Sequence, residues 1–105
     1  MATVSEAAQA MNSKASDLGE AAKKYEKARE QQEQAHDRTV EAHEKWREAK
    51  PPSEELAKAL GNAQARENAA IHETNVAADA LAAAALAFSA AIAEFMAAIA
   101  QPSVP

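Results

Sequence analysis

The chain reads ALAAAALAFSAAIAEFMAAIA over residues 80–100, and this stretch decides the fold. Only Ser89 and Glu94 are polar within it. On a helical wheel, at about 100° per residue, six bulky side chains fall within an arc of roughly 100°, with Glu94 on the far side. They are Leu81, Phe88, Ile92, Phe95, Met96 and Ile99, while Leu86 lies apart from them, near Asp79. Bulk on one side and alanine elsewhere are typical of a helix in a protein bundle, because alanine lets neighbouring helices approach.

Prolines divide the rest of the chain into two long helical segments. Pro51 and Pro52 form the strong break, because the residue before a proline is disfavoured in helical geometry, and Pro102 stops the second segment. We therefore predict one helical-hairpin domain over residues 1–105. Its predicted parts are a helix at about 4–49, a turn at 50–53, a helix at about 54–100 and a short tail at 101–105.

Both predicted helices begin at a capping residue. Thr3 and Glu6 have the spacing of a capping box, and Ser53 is a natural N-cap before the acidic Glu54-Glu55. Gly19 and Gly61 offer alternative breaks that would create extra short helices, although the apolar period passes through both of them.

Side chains repeat every seven residues along both helices, beside parallel rows of alanine. The larger members are Met11, Leu18 and Tyr25 in the first helix and Leu81, Phe88 and Phe95 in the second. Such rows predict a coiled-coil-like seam that is rich in alanine. The short turn makes the helices antiparallel and pairs residues whose numbers sum to about 103. The sequence thus predicts an all-α antiparallel two-helix hairpin.

This register gives the hairpin an apolar base and a polar tip. The base consists of residues 4–25 and 77–100, whereas His36 is predicted to face Glu67 nearer the turn. Two helices leave much of the apolar stripe uncovered, so dimerisation into a four-helix bundle is the simplest way to complete the core.

Composition and charge exclude several classes of function. The net charge is -5 and no basic patch stands out, which argues against nucleic-acid binding. The chain has no cysteine, and its N-terminus lacks the basic and apolar regions of a secretory signal peptide. The expected location is the cytoplasm, or outside the cell after export without a cleavable signal. Long helices without pocket-forming loops predict that the protein is not an enzyme.

Two local motifs attract attention near the turn. Glu33 and His36 have the Glu-x-x-His spacing of di-iron bundles, but no second copy of this motif exists. We therefore predict no metal and no cofactor. Trp46 is expected to pack at the end of the hairpin, and its alternative role is a recognition anchor.

The leading functional hypothesis is a non-enzymatic assembly protein that binds itself or a helical partner through the apolar base. Its predicted interface residues are Met11, Leu18, Tyr25, Leu81, Leu86, Phe88, Ile92, Phe95, Met96 and Ile99. An alternative is a membrane-active or pore-forming helix over residues 80–100, since the stretch is long enough to span a bilayer. Glu94 opposes insertion, and no Lys or Arg flanks the stretch.

A further alternative is a small exported hairpin of a secretion system. The size, the two long helices and a Trp near the turn resemble the small early-secreted-antigen family, whose turn carries Trp-x-Gly. This chain has Trp46-Arg47-Glu48 there, without the glycine. It also lacks the family's C-terminal Tyr-x-x-x-Asp/Glu export signal.

Overall fold

The computed structural model describes residues 2–101, so the predicted tail beyond Gln101 lies outside the described residues. The described chain forms two antiparallel α-helices packed against each other, α1 (Val4–Glu48) and α2 (Glu54–Ile99). The predicted two-helix hairpin is thereby confirmed, with helix ends within a residue of those expected. Both helices continue through Gly19 and Gly61, so the alternative with extra short helices is wrong.

The predicted capping residues start both helices. The Thr3 hydroxyl accepts a hydrogen bond from the Glu6 backbone N–H at 3.1 Å and donates one to Glu6 Oε1 at 3.1 Å. The Ser53 hydroxyl accepts from the Leu56 backbone N–H at 3.3 Å. These side-chain bonds satisfy N–H groups that have no partner within the first turn of a helix.

The chain divides into two compact units. Within the described residues, unit 1 consists of residues 2–24 and 78–101. Unit 2 is Tyr25–Ala77 and contains the turn. Each unit holds one segment of each helix, and each is described separately below.

The centre of unit 1 is built from alanine. Ala7, Ala91 and Ala98 are buried, and larger side chains beside them are half-buried. The half-buried set on the predicted seam is Met11, Leu18, Leu81, Phe88 and Phe95. Among residues 2–101 no large side chain is fully enclosed, because a two-helix layer has solvent on both faces.

The centre of unit 2 contains a polar contact between the helices. Thr74 is only 8% exposed, and its hydroxyl lies 3.2 Å from the Ala28 carbonyl oxygen of α1 and 2.9 Å from that of Ala70 in α2. The second contact, between His36 and Glu67, joins the pair that the predicted register placed together. The register is therefore confirmed in unit 2.

Candidate interaction surface

Large apolar side chains are exposed on the α2 segment of unit 1. Leu86 is 73% exposed, Met96 59% and Ile99 56%. A helix of a monomeric protein normally turns such side chains towards its core, and single exposed residues are common. Met96 and Ile99 are three residues apart on one face of the helix and form a patch there, which is typical of an interaction site, whereas Leu86 lies apart from them.

The structure splits the predicted apolar stripe of α2 into two rows. Leu81, Phe88 and Phe95 belong to the half-buried seam, while Met96 and Ile99 lie on its flank and are exposed. Ile92 is half-buried on the same flank. Seam residues stabilise the helix pair itself, so the flank and Leu86 provide most of the apolar surface that remains available in unit 1.

The predicted residues of unit 2 have different surroundings. Tyr25 is half-buried on the α1 seam. Trp46 is 42% exposed, and its ring centroid lies 5.9 Å from that of His43 at a tilted angle of 48°. The indole thus packs partly against its own helix and still presents a face to solvent.

His36 and Glu67 form the main electrostatic contact of unit 2. His36 Nδ1 donates to Glu67 Oε1 across 2.7 Å. The hydrogen bond to the Glu67 carboxylate, and then its negative charge, raise the pKa of His36. The hydrogen bonds from His36 and from the Thr39 hydroxyl lower the pKa of Glu67. In the described range, no group of three or more His, Asp or Glu side chains is arranged as a metal site.

Within residues 2–101, α2 is also the one helix long and apolar enough to cross a membrane by length and composition. Only 6% of its most apolar 18-residue window is buried within the protein. The core helix of a soluble protein would bury most of such a window. This segment therefore has an unusual amount of uncovered apolar surface for either a second protein surface or lipid.

Sequence reasoning overlooked three exposed apolar side chains, Val40, Ile71 and Val76. All three lie off the two rows that form the seam, so the seam pattern does not mark them. It also merged the seam and the flank of α2, because both fall within one arc of a helical wheel. The signal that separates them is spacing: residues 81, 84, 88, 91 and 95 alternate steps of three and four, and residues 85, 89, 92, 96 and 99 repeat that pattern beside them.

Comparisons with known proteins do not add a function to this geometry. No family model matches the chain, and no curated protein or solved structure gives a significant match.

Proposed function

We propose that this chain is a non-enzymatic assembly protein that self-associates through unit 1 into a four-helix, coiled-coil-like bundle. The observation that carries the proposal is the exposure of Met96 and Ile99 beside the half-buried Ile92 on one face of α2. Removing apolar surface from water contributes about 25 cal/mol per Å², so covering this patch favours association.

The thin core of unit 1 supports the same proposal. Its buried residues are alanines, and its phenylalanines remain half-exposed to solvent. Burying a Phe side chain completely contributes roughly 1.5–3 kcal/mol, of which two helices obtain only part. A second pair of helices would supply the missing contacts for Phe88 and Phe95.

A membrane surface is the second candidate partner, favoured by the apolar window of α2. Its charges argue against an anionic bilayer. Lys and Arg are absent from α2 after Arg66, whereas Glu67, Glu73, Asp79 and Glu94 follow. Helices that lie on anionic membranes are usually rich in Lys and Arg on their polar face.

The test is the mass of the purified protein in solution. Size-exclusion chromatography with light scattering should give about twice the 11.1 kDa chain mass, or a higher multiple, at micromolar concentration. Replacing Met96 and Ile99 together with Gln should shift the protein towards monomer while circular dichroism stays helical, since both side chains are exposed.

Flotation with neutral and with anionic vesicles distinguishes the two candidates. Self-association predicts that the protein stays with the soluble fraction in both cases. A monomer that floats with vesicles would replace the proposal with membrane binding, and a monomer that ignores vesicles would overturn self-association outright.

A further inference from the structure

Unit 1 has one face without a charged side chain. In both helices the face consists of the residues that come directly after a position of the seam, such as Ala8 after Ala7 and Met96 after Phe95. Because the helices are antiparallel, these two rows lie on the same side of the seam. We call it the neutral face: Ser5, Ala8, Asn12, Ala15, Gly19 and Ala22 of α1, with Ala78, Ala82, Ala85, Ser89, Ile92, Met96 and Ile99 of α2.

Every charge of unit 1 within the described residues lies outside these rows. Glu94 directly precedes the seam residue Phe95, and Asp17 precedes Leu18, so both carboxylates lie on the opposite side of the seam. Lys14 falls on the seam row, but its amine lies 3.9 Å from the Asp17 carboxylate and thus points away from the neutral face. The neutral face therefore matches another uncharged surface.

The neutral face has the size of a stable protein contact. It is about 33 Å long at 1.5 Å per residue and roughly 20 Å wide for two helices, which gives about 650 Å². Stable interfaces bury about 600–1,000 Å² per partner. One face of this kind is enough for a dimer when its side chains interlock.

The large side chains of the neutral face lie at one end of its α2 row. Ile92, Met96 and Ile99 are at one end and three alanines are at the other, with Ser89 between the two groups. A two-fold axis near Ser89 places a second copy on this face with its helices running in the reverse direction. Each bulky residue of one copy then meets an alanine of the other. The pairs are Ile92 with Ala85, Met96 with Ala82, and Ile99 with Ala78. The α1 row then meets its own copy through small side chains only.

Gly19 lies on this face and would permit such a close approach. A Cβ at this position would meet no atom within 4 Å, so nothing inside the chain requires glycine there. Glycine in a helix interior is less stable than alanine, and its value lies in letting another backbone come near. In the reversed arrangement Gly19 faces Ala8 of the second copy.

We infer that the neutral face binds the neutral face of a second copy in reverse orientation, with Ser89 near the two-fold axis. This inference rests on the proposed self-association and specifies its surface and geometry. The acidic balance of the remaining unit 1 charges favours a second copy over an anionic lipid surface.

A pair of neighbouring alanines tests the surface. Ala82 and Ala83 are both exposed, and both stand one helical turn after Asp79, but only Ala82 belongs to the neutral face. Ala82→Glu places two unpaired carboxylates inside the dimer and should weaken dimerisation about 100-fold or more. Ala83→Glu makes the same chemical change outside the face and should leave the dissociation constant within about threefold.

Glycine variants distinguish loss of the dimer contact from unfolding of the hairpin. Gly19→Gln and Gly61→Gln both introduce a better helix former in open space and should raise thermal stability of the helix. Only Gly19→Gln should lower the dimer fraction in sedimentation velocity. A stabilised chain that dimerises less cannot be explained by damage to the fold.

Cysteine crosslinking tests the orientation, and the natural chain has no cysteine to interfere. Ser89→Cys should form a disulfide-linked dimer under mild oxidation, because the two sulfur atoms meet near the axis. Ala90→Cys, its exposed neighbour, should not. A dimer that resists Ala82→Glu but dissociates with Ala83→Glu, or that crosslinks through Ala90→Cys, would overturn this geometry while leaving self-association intact. A wild-type monomer would overturn both.

Discussion

Units 1 and 2 share one backbone pattern but differ in the side chains that occupy it. In both, most protected positions alternate steps of three and four residues along each helix, with exceptions such as the exposed Lys14 and Trp46. Unit 1 places alanine and phenylalanine there, whereas unit 2 includes Thr74 and Glu67. The spacing of the protected residues thus pairs the helices in both units. The chemistry of their side chains determines whether apolar contacts or hydrogen bonds hold the pair together.

The difference extends to the outer surfaces. In unit 2 the polar groups between the helices form hydrogen bonds within the hairpin, such as Thr74 with Ala28 and His36 with Glu67. Unit 1 has apolar side chains left over, with Leu86 the most exposed of them. Polar contacts at a helix pair specify register, while leftover apolar surface favours association.

The largest expected effect on stability comes from truncating the two phenylalanines of the apolar seam in unit 1. Phe88→Ala with Phe95→Ala should cost about 2–3 kcal/mol of unfolding free energy, since two half-buried rings are lost. Alanine is the better helix former, so the loss reports packing. Hydrogen exchange should accelerate more than tenfold in unit 1 and less in unit 2.

Leu86→Ala is the control for the phenylalanine pair. It removes a large side chain that is already 73% exposed, so urea unfolding should change by no more than about 0.5 kcal/mol. Equal destabilisation by both variants would mean that the apolar seam is not what holds unit 1 together.

A smaller effect is expected from the polar contact of unit 2. Thr74→Val keeps the shape of the side chain but removes the hydroxyl that reaches Ala28, and it should cost about 1 kcal/mol in chemical denaturation. Thr74→Ser retains the hydroxyl. The serine variant measures the loss of the methyl group alone, and a valine variant as stable as the wild type would show that the bond contributes nothing.

The smallest effect is the pH dependence of the exposed His36–Glu67 pair. The raised pKa of His36 contributes stability below its ordinary value of 6.5, and this is lost as pH rises through the folded pKa. The lowered pKa of Glu67 contributes stability above its ordinary value of 4.5, and this is lost as pH falls through the folded pKa. The contribution of the pair is therefore largest between about pH 4.5 and 6.5.

Thermal melts between pH 3 and 9 can measure this contribution at low salt. His36→Gln should flatten the decline above pH 6.5. High salt should reduce the difference, because exposed ion pairs are screened. A His36→Gln profile identical to wild type would show that the pair does not contribute.

The helices and their connection were predictable because the determining interactions are local. Proline geometry, the Thr3 and Ser53 caps and the alanine-rich composition act within a few residues along the chain. The register in unit 2 was also predictable, because a short turn leaves little freedom and brings His36 to Glu67.

The amino-acid sequence by itself therefore determined two helices, their antiparallel pairing and the apolar character of the base. Only the tertiary structure decided which apolar residues the hairpin covers: Phe88 and Phe95 in part, Leu86, Met96 and Ile99 scarcely. A helical wheel measures direction around one axis and places seam and flank in the same arc. Burial depends on where the second helix lies, and that position follows from packing between segments far apart in the chain.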